Sequence, residues 1–506
     1  GGGAAGLMGS SLARSLGART LLIDAGKEGH LGGDCTNAGC VPSKALRAAA
    51  KMVADGRKAA ALGFVEGRAG DGRADLAAIS RHVASTVDKV RARESVKVLR
   101  EAGVDVMMGR ARFTGPHDLV VTDTEGRERQ ISSRRFLVAT GAGPSRPSSI
   151  EGLAAVPHET YRSIFQRDRL PASMVVIGAG PVGCELAQAY ARFGCNVTLI
   201  GPAVLPREDV DVQVVVKEVL EADGVEVITP CCAASVTQTA EGIVRVTAAS
   251  GTIYDADALL VAAGRTPAID DLGLEAAGVA RDSHGLLVDK YLRSLTARHV
   301  FAAGDCVSEN ARQNGRYAHH AGWQGFQAVR NALLPMFLRG DARTVVPRVT
   351  YLDPEVGVVG LSKHECEQKY GRDGYQAIRV PNSLLDRNNG ELDDAGFVEL
   401  RLQRPGARIL GATAVSARAG ELVSEMSVAL NHRHRALDIA VALHPFPSYG
   451  FAAHKLAVAG ATSTLPDLLA ACGPAGRAMG AVMVAVAALV RLIRRRPRLS
   501  VSDAAD

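Results

Sequence analysis

Cysteine is scarce in this sequence, with nine residues in a chain of 506. So few thiols cannot form the dense disulfide framework that stabilises small extracellular domains, and most are expected to be ordinary buried side chains. A chain of this length is too long for one hydrophobic core, so we expect two to four domains.

The sequence also lacks a broad excess of charge of either sign. Its formal net charge is +6, but much of that excess comes from five arginines near the C-terminus, which are Arg491, Arg494, Arg495, Arg496 and Arg498. Without them the net charge is about +1, so no basic face is expected and nucleic acid is not expected as a partner.

No apolar run predicts a comfortable membrane span. The apolar run from Ala478 to Val490 has thirteen residues and precedes the tail arginines, whereas a span needs about 20. We interpret residues 466–506 as a C-terminal tail that packs on a dimer or stays free. An interfacial helix with weak contact to an anionic membrane surface is the alternative.

No secretory signal opens the sequence, which begins instead inside a glycine-rich turn at Gly1. We therefore expect the first strand, and any targeting peptide, to lie ahead of Gly1. The sequence therefore leaves two compartments for this protein, the cytoplasm and the interior of an organelle.

The pattern G-x-G-x-x-G occurs twice, each time followed by a helical pattern and a strand. The glycines are Gly1, Gly3 and Gly6 in the first copy and Gly178, Gly180 and Gly183 in the second. A glycine turn between strand and helix lets the backbone approach a pyrophosphate at the helix N-terminus. Two copies in this context predict two dinucleotide-binding βαβ units.

The residue that would face the ribose differs between the copies. Counting 23 residues on from the first glycine leads to Asp24 in the first copy and to Gly201 in the second. A carboxylate there accepts hydrogen bonds from free ribose hydroxyls, so the first unit fits an adenine dinucleotide. The second unit has neither a carboxylate nor an arginine at this point, which favours NADPH over NADH only slightly.

Further along the chain the hydrophobic pattern predicts one long surface helix from Asp75 to Leu99. Buried strands that end in a glycine turn are predicted at Phe136–Gly141, Leu259–Gly264 and Val300–Gly304. From about Val346, alternating strands and two helices predict a separate α+β domain.

The most specific segment is Gly32-Gly33-Asp34-Cys35-Thr36-Asn37-Ala38-Gly39-Cys40-Val41-Pro42-Ser43-Lys44. Cys35 and Cys40 lie five residues apart at the start of a predicted helix, so they can close a small disulfide ring. Such a pair, placed beside a flavin, takes up two electrons as it changes from disulfide to dithiol.

This segment resembles the active-site motif of the pyridine nucleotide-disulfide oxidoreductases, which include dihydrolipoamide dehydrogenase, glutathione reductase and mercuric reductase. The resemblance extends from Gly1 to about Ala459 and is greatest to mercuric-reductase-like members. It implies an α/β fold with two Rossmann-like dinucleotide-binding domains and a C-terminal α+β dimerisation domain, and hence a homodimer. The implied ranges are 1–155 and 276–345 for FAD, 156–275 for NAD(P), 346–465 for dimerisation and 466–506 for the tail.

The resemblance also implies roles for individual residues. Cys35 would meet the substrate and Cys40 the flavin, while Lys44 would lie near the flavin and pair with Glu185. The first glycine turn would hold FAD together with Asp24, Lys44, Thr140, Gly141 and Asp305. The second turn would hold NAD(P)H together with Glu185 and Gly264. No metal-ligating set is predicted.

One part of the family pattern is missing. Disulfide reductases of this family carry a histidine–glutamate dyad in the pattern H-P-T-x-x-E, which moves the proton that thiol exchange needs. Here Phe446 and Phe451 stand at those two positions, and no acidic residue occurs between His444 and Pro466. His444 is the remaining candidate base, and a purely structural histidine is the alternative.

Mercuric reductases also lack this histidine, but they carry a vicinal cysteine pair at the C-terminus. In this sequence Cys472 is single, and the vicinal pair Cys231-Cys232 lies in the predicted NAD(P) domain, where a metal role is not favoured. We expect electrons to pass from NAD(P)H through FAD and Cys35–Cys40 to a soft metal ion such as Hg(II) or another small acceptor. The alternatives are a dihydrolipoamide dehydrogenase-like, other disulfide or quinone reductase, and a non-catalytic flavoprotein.

Overall fold

The structure, a computed structural model, describes residues 1–26, 30–65, 74–308 and 315–471, with a few single positions beyond them. The described chain divides into two units. The first unit contains Gly1–Val346 and Thr350–Asp353, and the second contains Pro347–Val349 and the chain from Pro354 onward.

The N-terminal part of the first unit alternates helices with short strands. In chain order its elements are α1 (Ala4–Ser15), β1 (Leu21–Asp24), α2 (Gly33–Asn37), α3 (Cys40–Ala61), α4 (Leu76–Arg91), α5 (Val96–Glu101), β2 (Asp105–Met108), β3 (Arg110–Phe113), β4 (Asp118–Thr122), β5 (Glu128–Ser132), β6 (Phe136–Val138) and β7 (Ala142–Pro144). β1 pairs with β2 in parallel, while β3, β4 and β5 form an antiparallel sheet.

The middle of the first unit is a second α/β section. Its elements are β8 (Ser173–Ile177), α6 (Pro181–Arg192), β9 (Asn196–Ile200), α7 (Val210–Ala222), β10 (Val225–Ile228), β11 (Ala233–Gln238), β12 (Val244–Ala248), β13 (Ile253–Ala256), β14 (Ala258–Val261) and β15 (Arg265–Pro267). Four strands form a parallel sheet in the order β10-β9-β8-β14. β14 is buried at every position, as expected for a parallel strand covered on both faces.

The last part of the first unit returns to the N-terminal section. Its elements are β16 (Arg281–Asp282), β17 (Gly285–Leu286), β18 (Val300–Ala302) and α8 (Ala318–Leu333). β18 pairs in parallel with β6, and α8 packs along α1. Because of this pairing, the N-terminal and C-terminal parts share one hydrophobic core.

The second unit is an antiparallel sheet with helices. From residue 347 on the elements are β19 (Arg348–Thr350), β20 (Glu355–Gly360), α9 (Lys363–Tyr370), β21 (Tyr375–Pro381), α10 (Asp386–Gly390), β22 (Phe397–Gln403), β23 (Ile409–Ser416), α11 (Ala419–Asn431), α12 (Ala436–Ala440) and α13 (Phe451–Ala471). The sheet order is β19-β20-β23-β22-β21. The central strand β23 is buried throughout, and α11 packs on it and on β20. These features confirm the predicted α/β class with an additional α+β domain.

The prediction of one continuous helix over residues 75–99 is wrong. α4 ends at Arg91, and a new helix, α5, begins at Val96. Ser95 between them is extended, and its hydroxyl accepts a hydrogen bond from the Val98 N–H at 3.4 Å. A serine in this conformation caps the next helix instead of continuing the previous one.

The predicted tail lies almost entirely outside the described residues. Cys472 and the arginines from Arg491 onward belong to the part that the structure leaves undescribed. α13 runs through the predicted boundary at residue 465 and ends at Ala471. Among the described helices, none combines the length and the apolar character that a membrane crossing requires.

Candidate redox site

The two cysteines of the motif are brought together by a turn between α2 and α3. Cys35 lies in α2, and Cys40 is the first residue of α3. The Ala38 N–H donates to the Asp34 carbonyl at 2.9 Å and closes the turn. A side chain at Gly39 would approach this carbonyl to 2.8 Å, so the turn requires glycine at that position. Both thiols are free in this structure, and Cys40 is exposed.

The environment separates the two thiols by acidity. A hydrogen bond from Cys35 lowers the pKa of Cys40 to about 6, and the charges of Lys44 and Arg265 lower it further. Although Cys40 is exposed, protein atoms around its sulfur desolvate it in part and oppose this shift. The pKa of Cys35 is raised well above its ordinary value, first by its hydrogen bond to Cys40 and then by burial. The pair is therefore one thiol on Cys35 and one thiolate on Cys40 at neutral pH.

Lys44 is held one turn into α3 by a residue far along the chain. Its Nζ lies 3.0 Å from Glu185 Oε2 and 4.1 Å from the centroid of the Tyr351 ring. The other Glu185 oxygen accepts the Tyr351 N–H at 2.9 Å. The structure thus brings together the lysine and the glutamate for which the resemblance implied a pair. Tyr351 is an additional partner that the sequence did not indicate.

The first glycine turn lies directly against the start of α2, the helix that contains Cys35. A side chain at Gly6 would meet the Gly1 carbonyl at 1.8 Å, and one at Gly33 would meet Gly3 Cα at 2.8 Å. Asp24 accepts the Gly2 N–H at 2.6 Å and the Gly26 N–H at 2.7 Å. Each of its carboxylate oxygens keeps a lone pair, so Asp24 still has acceptor capacity for a ribose.

The second glycine turn repeats this geometry. A side chain at Gly183 would meet the Gly178 carbonyl at 1.8 Å, as at the equivalent Gly6. By contrast, apart from its two chain neighbours, no described residue comes within 4 Å of the position a side chain at Gly180 would occupy, so the space beside the N-terminus of α6 is open there. A side chain at Gly201 would collide with the Ala179 nitrogen at 2.8 Å, which explains in steric terms why no carboxylate stands there.

The remaining predicted cofactor residues lie on turns around the cysteines. Gly141 and Gly264 both adopt positive φ, at +70° and +110°, where the chain leaves a strand. β7 and β15, which follow these glycines, pair with each other. Thr140 precedes Gly141, two residues after β6 ends at Val138. Asp305 lies in a short 3-10 turn after β18, and its carboxylate accepts a hydrogen bond from Arg265 at 2.8 Å.

Asp34 is a site residue for which sequence reasoning assigned no role. Its carboxylate binds Tyr161, Arg162 and Arg265. These partners follow it by 127 to 231 residues. No local pattern could have connected them.

In the second unit His444 has an acidic partner that the sequence did not predict. Its Nε2 lies 2.9 Å from Glu425 Oε1 on α11, and its Nδ1 lies 2.9 Å from the Ala442 carbonyl. Glu425 precedes His444 by 19 residues, so it lies outside the H-P-T-x-x-E pattern, in which the acidic residue follows the histidine. Phe446 and Phe451 contact each other edge to face.

The vicinal cysteines are not assembled into a larger ligand set. Cys231 is partly buried and Cys232 is exposed. Within the described ranges no cluster of three or more His, Cys, Asp or Glu side chains could hold a metal ion.

Comparison with known protein families decides the classification. The model of the pyridine nucleotide-disulphide oxidoreductases matches residues 1–325, and the model of the dimerisation domain of that family matches residues 346–457. The chain belongs to this family of oxidoreductases.

Two kinds of curated relatives resemble this oxidoreductase to a similar degree. A mercuric reductase from Shigella flexneri is 31% identical over 455 residues, covering 88% of this chain and 77% of the relative. A dihydrolipoyl dehydrogenase from Geobacillus stearothermophilus is 28% identical over 459 residues, covering 89% and 93%. Sequence identity therefore shows the reaction class but does not distinguish the substrate of a mercuric reductase from that of a dihydrolipoyl dehydrogenase.

Solved structures give the same fold. LpdA from Mycobacterium tuberculosis is 28% identical with a TM-score of 0.80, covering 91% of this chain and 98% of that one. The flavoprotein disulfide reductase RclA from Escherichia coli is 24% identical with a TM-score of 0.79, covering 91% of this chain and 98% of that one.

The residues of this oxidoreductase fit the FAD of its family. The glycine turn at Gly1–Gly6 and the Gly33 backbone approach each other too closely for side chains, and Asp24 is fixed by two backbone N–H groups beside them. Close backbone packing with an acceptor for a ribose is what an adenine dinucleotide needs. Gly1, Gly3, Gly6 and Asp24 would hold the adenosine and pyrophosphate.

Proposed function

We propose that this chain reduces the Cys35–Cys40 disulfide with NAD(P)H and passes the electrons to a soft metal ion such as Hg(II). The observation that carries the proposal is the placement of the free thiols of Cys35 and Cys40 on the two sides of one tight turn, with the Lys44–Glu185 ion pair one helical turn beyond Cys40. FAD, when bound, would supply the two-electron relay between the nicotinamide and the disulfide.

The protein residues supply the proton and charge control for this exchange. Reduction of the disulfide with two electrons and one proton gives a Cys35 thiol and a Cys40 thiolate. Lys44 stabilises the thiolate electrostatically, and Glu185 with the Tyr351 ring keeps its ammonium in place. The same positive charge would face the negative charge that develops on a reduced flavin.

A soft acceptor suits this site for two reasons. Two sulfurs, one of them already a thiolate at neutral pH, are the ligands that soft metal ions prefer. In addition, Phe446 occupies the position where disulfide reductases of the family carry their proton-transferring histidine. Reduction of a metal ion by a dithiol needs no proton delivered to the product, so it tolerates this replacement.

For the coenzyme we propose a preference for NADPH over NADH. Gly201 offers no carboxylate to repel a 2′-phosphate, and the collision with Ala179 keeps that position free of a side chain. The ratio of kcat/KM for the two coenzymes tests this preference, and a ratio that favours NADH contradicts it.

The acceptor is tested with a substrate panel after anaerobic reduction by NADPH. We expect NADPH oxidation that depends on Hg(II) in the wild type and at least a hundredfold loss in Cys35→Ala and in Cys40→Ala, while quinone turnover survives. Cys232→Ala is the matched control, because it removes an exposed thiol outside the motif. Hg(II) turnover that persists in Cys35→Ala would disprove the proposal.

A disulfide substrate is the second candidate, and the His444–Glu425 pair is the observation that favours it. A histidine hydrogen-bonded to a carboxylate can hold and release the proton that a leaving thiolate needs. If the substrate is a disulfide, His444→Gln should lower kcat for lipoamide or glutathione disulfide at least tenfold. Metal-dependent turnover should remain unchanged in the same variant. Equal loss of both would assign His444 a structural role.

A further inference from the structure

Asp34, the residue immediately before Cys35, is the centre of a charged network. Its carboxylate accepts hydrogen bonds from the Tyr161 hydroxyl at 2.6 Å, from Arg265 at 2.8 Å and from Arg162 Nε at 3.1 Å. Two arginines and a tyrosine on one carboxylate are more partners than an N-terminal helix residue needs for capping alone. The concentration of donors beside a redox cysteine therefore requires a functional explanation.

The main chain of Asp34 belongs to the turn that brings the cysteines together. Its carbonyl accepts the Ala38 N–H at 2.9 Å, and the same carbonyl blocks any side chain at Gly39. A displacement of Asp34 would therefore move this turn. Cys35 would shift relative to Cys40, because the turn connects the two cysteines.

Arg265 links this turn to the other side of the site. One of its nitrogens binds Asp34 and another binds Asp305, both at 2.8 Å, while its guanidinium lies 5.0 Å from the Tyr161 ring centroid. Burial alone would lower the pKa of Arg265, but Asp305, Tyr161 and Asp34 raise it above the ordinary value, so the side chain stays charged. Its positive charge in turn helps to lower the pKa of Cys40.

Arg162 connects Asp34 by hydrogen bonds to the strand pair formed by β7 and β15. Its guanidinium binds Asp34 at 3.0 Å and donates to the Ala142 carbonyl in β7 at 3.1 Å. β7 pairs with β15, where Arg265 is the first residue. The carboxylate of Asp34 is thus held from two directions by elements that themselves pair with each other.

We propose that Asp34 is a positioning residue for the redox pair, which keeps Arg265 and the turn between the two cysteines in one fixed arrangement. This inference deepens the proposed function, because it concerns the thiolate of the same site. It does not depend on which acceptor finally takes the electrons.

The positioning role predicts the same direction of effect for Asp34 and Arg265, the two central members of the network. Asp34→Asn keeps the size but removes the charge that holds Arg265, so Arg265 should lose its fixed place and the Cys40 thiolate should form at a higher pH. Arg265→Met removes the cation itself, so the thiolate should again form at a higher pH. Asp34→Glu keeps the charge and should titrate as the wild type does.

The test follows the Cys40 thiolate in the full-length, flavin-bound protein reduced anaerobically with one equivalent of NADPH. A thiolate beside oxidised flavin absorbs at long wavelength, and the pH midpoint of this absorbance is measured for each variant. We expect upward shifts of about one pH unit for both Asp34→Asn and Arg265→Met. Asp255→Asn is the matched control, because Asp255 forms a two-bond pair with Arg245 away from the cysteines.

A second readout keeps the proposal testable if a variant loses its flavin. The rate of alkylation of the reduced cysteines by iodoacetamide, measured against pH, reports the same thiolate without any cofactor. A midpoint that shifts downward in Asp34→Asn, or does not shift at all, would overturn the positioning role of Asp34. Absence of Hg(II) turnover would instead overturn the proposed acceptor and leave these midpoints unaffected.

Discussion

Cys35 and Cys40 have the same side chain but opposite electrostatic surroundings. Cys40 is the first residue of α3 and accepts a hydrogen bond from Cys35, and the positive charges of Lys44 and Arg265 stabilise its thiolate. Cys35 is surrounded by groups that oppose its ionisation, including Glu94. Because the thiolate is the reactive form of a cysteine, this asymmetry assigns different roles to two chemically identical groups.

The asymmetry predicts a pH dependence. The pKa of Cys40 is lowered to about 6, so its thiolate is present above this pH and is lost as the pH falls through it. The long-wavelength absorbance of the reduced protein should follow the same midpoint. Lys44→Gln should raise the midpoint by about one pH unit, because an opposite charge nearby favours the thiolate.

Lys217→Gln is the control for the lysine substitution. Lys217 lies on α7 and pairs with Glu221 at 3.7 Å, so the same change there should leave the midpoint where it is. An unchanged midpoint in Lys44→Gln would mean that the lysine does not act on the thiolate.

Residues that act together were predictable from the sequence only when they were close along the chain or joined by a family pattern. The Asp24 position follows from a fixed count after Gly1, and the two cysteines lie in one motif. By contrast, Glu185 follows Lys44 by 141 residues, and the resemblance alone suggested that they pair. Nothing local marks Tyr161 as the partner of Asp34, because tertiary folding alone makes that contact.

At the scale of elements, two glycines of the second turn, Gly180 and Gly183, distinguish what the fold requires from what the ligand requires. Gly183 has the Gly178 carbonyl at 1.8 Å from any added side chain, whereas Gly180 has open space. Gly183→Ala should therefore push α6 away from the turn and lower the melting temperature by several degrees. Gly180→Ala should leave the melting temperature unchanged and raise the KM for NADPH, since the methyl group enters the space for the pyrophosphate.

Thermal unfolding and steady-state kinetics of both glycine variants separate these outcomes. Equal melting temperatures for the two variants would show that the close approach at Gly183 is not needed by the fold. An unchanged KM in Gly180→Ala would show that the coenzyme does not use the open space beside the N-terminus of α6.

Element boundaries show where hydrophobic periodicity stops being informative. The apolar spacing continues from α4 into α5, since Val83, Val87, Val96 and Leu99 are all buried. The pattern therefore predicted one helix, although α4 ends at Arg91, a 3-10 turn follows over Ala92–Glu94, and Ser95 then caps α5. Periodicity reports which residues face the core, and the chain can change direction while keeping that pattern.

At the scale of the whole first unit, Asp353 connects helices from both nucleotide-binding sections. It lies 2.7 Å from Arg192 in α6 and 3.3 Å from Lys51 in α3. Burial alone would raise the pKa of Asp353, but Arg192 and Lys51 lower it below its ordinary value. The carboxylate therefore stabilises the fold at neutral pH, and this contribution is lost as the pH falls through the lowered pKa.

Asp353→Asn should lower the free energy of unfolding by about 2 kcal/mol at pH 7, because Arg192 then keeps Asp223 but loses the second of its two carboxylate partners. The difference from the wild type should shrink as the pH approaches 3. Denaturant unfolding at both pH values measures it, with Asp255→Asn as an exposed control that should not change the midpoint. A difference that is independent of pH would exclude the carboxylate charge as its source.

The second unit exposes several large apolar side chains in the stretch that follows α12. Leu443 is 99% exposed, Val441 74% and Phe446 62%, all within one short stretch after α12. Single exposed apolar residues are common on monomers, but several neighbouring ones indicate an interaction surface. The match to a dimerisation domain over residues 346–457 makes a second copy of this chain the expected partner.

A double substitution, Val441→Asp with Leu443→Asp, should therefore convert the dimer to monomers. Burying two like charges against their copies leaves them without partners, so the dissociation constant should rise at least about a hundredfold. Sedimentation velocity at micromolar concentration measures the change. Ile253→Asp is the control, because Ile253 is 54% exposed but lies on β13 in the first unit. If the double variant sediments as the wild type does, the copies meet through another face of the second unit.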